Sequence, residues 1–170
     1  MIEIANKWIV CQEPNPDASV RLFCFPYAGG SASAFRTWAT HIPPYIEVCA
    51  IQLPGHETRL REPLMTSLPP LTCALADALA PYLDKPFTFF GHSMGAIICF
   101  ELARKLRKRV GRIERILIAD HTNLIPIVLL QFARRYSDKP ARLVVSHREA
   151  GRTYHMQASA PEISSLTYCG

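Results

Sequence analysis

The serine in Gly91-His92-Ser93-Met94-Gly95 carries the most direct chemical meaning in this chain. A serine hydroxyl can act as a nucleophile when a sharp turn between strand and helix holds it out at the carboxyl edge of a sheet, and small flanking residues let that turn close. Phe87 to Phe90 (FTFF) reads as the strand and the helical pattern begins near Ala96, which is the setting such a turn needs. Stripped of chemistry, the same residues read as a glycine-rich turn. A second loop, Phe25-Pro26-Tyr27-Ala28-Gly29-Gly30-Ser31, follows an earlier apolar run. Its small residues can aim a backbone N–H at the oxyanion that forms when serine attacks a carbonyl, with the N–H of Met94 as the second donor.

A nucleophilic serine needs a general base, and the base needs a carboxylate to fix its tautomer. In strand–turn–helix serine hydrolases these follow in the chain order serine, acid, histidine. Asp120, 27 residues past Ser93 at the end of the next strand pattern, is the candidate acid. Its other reading is a turn or cap residue beside Thr122 and Asn123. His121, His147 and His155 lie downstream of it. His121 is adjacent to Asp120 and poorly placed to face both it and Ser93. His147 and His155 are better placed in sequence, although each also reads as a solvated loop histidine. His92 reads as a residue that shapes the pocket, and His56 as a surface-loop residue.

These residues must be positioned by alternating strands and helices. Val20 to Phe25, Ile46 to Leu53, Phe87 to Phe90 and Ile113 to Ala119 are apolar runs ended by Pro, Gly or polar residues, as buried parallel strands are. Helices are predicted from Ser31 or Ser33 to about His41, over Leu71 to Leu83, and from Ala96 to about Arg109. The class is therefore α/β, a mostly parallel sheet with helices on both faces. Past Asp120 the rhythm weakens. Leu124 to Arg134 fits strand or helix, Ala141 to Ser146 fits a strand, and His147 to Gly170 has no clear period.

Composition sets outer limits. Of the 170 residues 49% are hydrophobic and 19% charged, which fits one globular domain and not a disordered chain. Met1 to Val10 lacks the pattern of a secretory signal. The longest apolar run, Leu124 to Leu130, falls far below the roughly 18–20 residues that span a bilayer, so the expected compartment is the cytoplasm. Cys11, Cys24, Cys49, Cys73, Cys99 and Cys169 lack metal-ligand spacing and read mainly as buried free thiols. The net charge of +5 is uneven: Met1 to Lys105 holds 8 basic and 9 acidic residues, Leu106 to Gly170 holds 11 and 5. Arg104 to Arg115 carries seven Lys or Arg in twelve positions. That run can receive an acidic partner or be a solvated helix end with cations at its negative pole. No recognised motif or aromatic platform beside it points to nucleic acid.

FPYAGGSASAF, IQLPGHETRL and FFGHSMGA, in this order and spacing, resemble the type II thioesterases of non-ribosomal peptide and polyketide synthesis, which are α/β-hydrolases. The resemblance covers about residues 20–105. It implies an α/β-hydrolase-like fold in which Ser93 is the nucleophile and the Ala28 and Met94 amides form the oxyanion hole. It also implies removal of acyl or aminoacyl groups from the phosphopantetheine arms of carrier proteins; the folded chain is expected to be a monomer, and no metal or redox cofactor is implied. The turn at Pro54-Gly55-His56-Glu57 matches a loop bordering the site, where the family usually has arginine in place of His56. The family's acid segment and Gly-rich histidine segment are not recognisable, and its lid helices and final strands are not clear. The expectation is a single hydrolase domain over 1–170 that is incomplete at its C-terminal end, with a core at 20–120 and an atypical tail at 121–170. A frameshift or early stop would produce such a tail. The alternatives are a general serine esterase and a catalytically inactive fragment.

Overall fold

The computed structural model describes residues 6–110, 115–119, 142–149 and 152–159. Its strands are β1 (Ile9–Val10), β2 (Val20–Phe25), β3 (Ile46–Ile51), β4 (Phe87–His92), β5 (Arg115–Ala119), β6 (Arg142–Glu149) and β7 (Arg152–Ser159). They form one sheet in the order β1-β3-β2-β4-β5-β6-β7. The five central strands run parallel, and β1 and β7 pair antiparallel at the two edges. The architecture is a mostly parallel α/β sheet, as the strand and helix patterns predict, and it is the α/β-hydrolase-like fold that the resemblance implies.

Strands β2 and β3 are buried at every residue, because both faces of the sheet are covered. Successive side chains point to opposite faces. Phe23 and Phe25 therefore pack with Cys49, Ile51, Phe87 and Phe89 beneath two α-helices, α1 (Leu68–Leu79) and α2 (Met94–Val110). Val20, Leu22 and Cys24 face the other way, against Phe35, Trp38 and Ile42. Phe23, Phe25, Phe87 and Phe89 meet in edge-on or tilted pairs with centroids 5.4–6.0 Å apart, the geometry aromatic quadrupoles favour.

Several elements differ from the sequence expectation for identifiable reasons. The helix predicted from Ser31 or Ser33 to about His41, on the second face, is instead two short 3-10 helices, Ala32–Phe35 and Ala39–His41. Ser31 makes no cap bond to the backbone; its hydroxyl lies 2.9 Å from that of Ser33. The Thr40 hydroxyl donates to the Thr37 carbonyl at 2.8 Å, a local bond that competes with a regular helix. Helix α1 starts three residues earlier than predicted, with Pro69 and Pro70 in its first turn, where no helical N–H bond is lost. It ends early because Pro81 cannot donate within a helix, leaving a 3-10 turn at Ala80–Tyr82. Strand β4 runs on to His92 because Gly91 and His92 pair with Ile118 and Ala119. The aperiodic stretch after His147 contains the end of β6 and all of β7, joined in register from Glu149↔Arg152 to Arg142↔Ser159. Leu124 to Arg134 lies outside the described residues.

Candidate functional site

Ser93 is exposed at the point where β4 becomes α2, and its φ is +52°. Such a left-handed conformation is strained for a residue with a Cβ, and here the surrounding turn enforces it. A methyl group at Gly91 would stand 2.5 Å from the Gly95 carbonyl carbon and 2.6 Å from Ala96 Cα. A methyl at Gly95 would meet the Phe25 carbonyl carbon and the Pro26 oxygen, both at 2.7 Å. Both flanking glycines are thus required by backbone and not by flexibility. The Ala96 N–H closes the first turn of α2 on the Ser93 carbonyl at 2.8 Å.

The close approach at Gly95 also brings the loop after β2 against the start of α2. Ala28 is exposed on that loop and Met94 is the first residue of the helix. The loop turns at Gly29, where φ is +77°, and the Gly30 N–H donates to the Tyr27 carbonyl at 2.9 Å. The Tyr27 ring stands edge-on to His92, with centroids 5.1 Å apart. Ser93, Ala28 and Met94 therefore share one corner of the carboxyl edge of the sheet.

A third segment, Gln52 to Glu62, buttresses this corner. Gln52 is buried; its Oε1 accepts the Ala32 N–H at 3.2 Å and its Nε2 donates to the His56 carbonyl at 2.8 Å. The amide thus ties the loop after β2 to the Pro-Gly-His-Glu turn. In that turn Gly55 (φ +77°) packs so tightly on Leu64 that a Cβ would stand 2.8 Å from its Cγ, and Glu57 has a strained φ of +41°. The Ser33 hydroxyl, and then that of Ser31, hold the Glu57 carboxyl below its ordinary range. Arg59 is buried, donates to the Gln52 carbonyl at 2.9 Å, pairs with Glu62 at 2.7 Å and lies 4.1 Å from the Trp8 ring centroid. His56 turns its Nδ1 toward the Pro54 carbonyl at 2.9 Å. Gln52, Glu57 and Arg59 belong to the IQLPGHETRL motif, but their joining roles depend on contacts that sequence spacing does not reveal.

Beside Met94 lies a cleft of about 230 Å³ between α2 and the start of α1, lined by Met65, Ser67, Leu68, Leu71, Met94 and Ile97. Its lining is mainly apolar, and Ile97 is 47% exposed.

Asp120 and His121 lie outside the described residues. Ala119, just before Asp120, pairs with His92 across β5 and β4, and the same row continues through Ser146 to His155. His147 pairs with Tyr154 one row further on. The backbone of His147 is thus two strands from β4 and that of His155 three, about 10 and 14 Å at the usual strand spacing. Cys24, Cys49 and Cys99 are buried as predicted, Cys11 is half-buried and Cys73 is exposed, while Cys169 lies outside the described residues. Within the basic run, Arg104 pairs with Glu101 at 2.9 Å, and Lys105 Nζ stands 2.7 Å from Cys73 Sγ. Among the described residues no helix is long and apolar enough to cross a membrane.

A profile of the thioesterase domain family matches residues 20–124. The gramicidin S biosynthesis protein GrsT of Aneurinibacillus migulanus is 46% identical over 127 residues, covering 74% of this chain and 50% of the relative. The structure of the type II thioesterase BorB from the borrelidin biosynthetic cluster superposes with a TM-score of 0.62 at 34% identity, covering 66% of this chain and 46% of BorB. RedJ, the thioesterase of the prodiginine pathway in Streptomyces coelicolor, gives a TM-score of 0.59 at 42% identity, covering 62% and 40%. The chain spans about half the length of the relatives it matches.

Proposed function

The chain belongs to the thioesterase domain family, and from that premise we propose that it hydrolyses acyl or aminoacyl thioesters on the phosphopantetheine arms of carrier proteins in peptide and polyketide synthesis. The observation that carries the reading is the strained Ser93 between two glycines that backbone contacts require. Such strain persists where the surrounding structure fixes it, and it clusters at reactive sites. In the proposed reaction the Ser93 oxygen attacks the thioester carbonyl while a base takes its proton. The Ala28 and Met94 amides receive the negative charge on the tetrahedral intermediate, worth about 3–4 kcal/mol per good donor. The intermediate collapses, the thiol of the arm leaves with a proton, and water attacks the acyl-serine to release the free acid.

The apolar cleft beside Met94 suits the acyl chain, since it can shield apolar surface without demanding polar partners. Asp120 is the acid of this reading, and the base is drawn from His121, His147 and His155. The chemistry needs no metal or redox cofactor. The reaction belongs to the cytoplasm, with the carrier protein as partner and this chain acting as a monomer.

A second reading is that the chain holds acyl or carrier groups without turnover. It is favoured by the two and three strands that separate His147 and His155 from β4. The test compares release of acid from an acyl-pantetheinyl carrier protein with hydrolysis of an oxygen ester of the same acyl group. Preferential carrier turnover that disappears in Ser93→Ala supports the proposal. Faster oxygen-ester turnover would make it a general esterase, and binding without release by a folded chain would support the second reading.

A further inference from the structure

Cys11 and Cys49 bring two thiol sulfurs to 3.0 Å of each other, away from the candidate site and unused by its chemistry. Their closeness follows from strand register. The Gln52 N–H donates to the Trp8 carbonyl at 2.9 Å, so Trp8 and Gln52 are a hydrogen-bonded pair. Ile9 then faces Ile51 and Val10 faces Ala50. Continuing the alternation, Cys11 faces Cys49 at a non-hydrogen-bonded position. There, Cα atoms approach to about 4.5 Å and side chains lie closest, within the span of about 4.4–6.8 Å that a disulfide bridges. The sulfurs need to close by only about 1 Å to reach bonding distance.

We propose that Cys11 and Cys49 are a site of reversible thiol oxidation, joined by peroxide into a cross-strand disulfide that fixes β1 to β3. Cys11 is the attacking residue because it is half-buried, while Cys49 is enclosed in the core. The shared hydrogen bond supports this order. It holds the Cys11 thiol below its ordinary value, and it pushes Cys49 up, with burial adding to the effect. The Cys11 thiolate attacks one oxygen of hydrogen peroxide, giving a sulfenic acid and hydroxide. The Cys49 sulfur then attacks the Cys11 sulfur; the S–O bond breaks, and water leaves with the Cys49 proton. Two thiols are oxidised and one peroxide is reduced. A thiol reductant reverses the change by exchange.

The bond would reach the candidate site through a short chain of contacts. The segment entering β1 carries Trp8 against Arg59, donates from Lys7 to Glu62 at 3.1 Å, and anchors Asn6 Nδ2 on the Ala78 carbonyl at 2.6 Å. Fixing β1 therefore fixes one side of the Gln52–Glu62 segment.

The experiment treats the full, reduced chain with hydrogen peroxide, blocks the remaining thiols with N-ethylmaleimide in denaturant, and maps the digest by mass spectrometry. The expected result is a Cys11–Cys49 linked peptide, lighter by two hydrogens than its separate halves and split by dithiothreitol. Two of the six cysteines should then escape alkylation. Cys11→Ser should leave Cys49 alkylated in full, and Cys73→Ser should leave the linkage intact. The wild-type map stands even where a variant folds poorly. The proposal is overturned if Cys11 and Cys49 both remain alkylated after oxidation, if Cys11 passes to sulfinic acid with Cys49 free, or if either links to another cysteine.

Discussion

Gly95 and Ser93 impose opposite demands on the same turn, and each makes a measurable prediction. A side chain at Gly95 has nowhere to go, because backbone of Phe25 and Pro26 occupies the space. Gly95→Ala should therefore cost at least about 1–3 kcal/mol, the usual penalty of overpacking, read as a lower denaturant midpoint. At Ser93 the strain comes from φ, so Ser93→Gly should be more stable than Ser93→Ala by about 1 kcal/mol. Neither variant should turn over substrate. This part of the site was legible in sequence because its demands are local: small residues at fixed offsets between an apolar strand and a helix. Gln52 and Glu57 were not legible in the same way. Gln52 matters through bonds to Ala32 and His56 from a buried position, and Glu57 through a backbone angle. Gln52→Leu should destabilise by about 1–3 kcal/mol, since it strips partners from two groups near a buried site. It should also lower turnover by loosening the loop that carries Ala28, which a steady-state assay of the folded variant would detect.

Strands and loops extend these demands across the sheet. Arg21 on β2 donates to Glu47 on β3 at 2.7 Å with both side chains about one-tenth exposed, and it also holds Asp84 just before β4 at 2.6 Å. Arg21→Met should cost about 3–5 kcal/mol because Glu47 is left buried without its counter-charge, whereas pairing it with Glu47→Leu should recover much of the loss. Thermal or urea unfolding of the three variants checks this. At the Gln52–Glu62 segment, the Glu62 carboxyl is held down to about 2, chiefly by Arg59 and then by Lys7. A lowered folded pKa adds stability above the ordinary carboxyl range, and that stability is lost as pH falls toward 2. The stability difference between wild type and Glu62→Gln should be level above about pH 5 and shrink between there and pH 2. Urea unfolding across that range reads it. Strands β2, β3 and β4 were legible because burial on both faces makes continuous apolar runs. Strand β1 is two residues long, and in β7 (RTYHMQAS) the alternation of Tyr154, Met156 and Ala158 with polar residues is short and weakly apolar, so their pairing is what reveals them.

At the scale of the whole molecule, two cores on either side of one sheet hold the serine corner at the carboxyl edge, where open parallel sheets take their ligands. That organisation follows from the alternation of strand and helix patterns, and it agrees with the thioesterase domain match over residues 20–124. The remaining chemistry rests on groups whose position no local pattern specifies. An acid and a base are brought to a serine by strand order and loop path, and chain order supplies only candidates such as Asp120 and His147. The central claim, that Ser93 is an activated nucleophile, is tested most directly by labelling the purified chain with a fluorophosphonate probe, which captures serines that a working base has activated. Labelling at Ser93 should be stoichiometric, absent in Ser93→Ala and blocked by prior incubation with an acyl-pantetheinyl carrier. A folded chain that takes up no probe, or that labels equally well in Ser93→Ala, would contradict it.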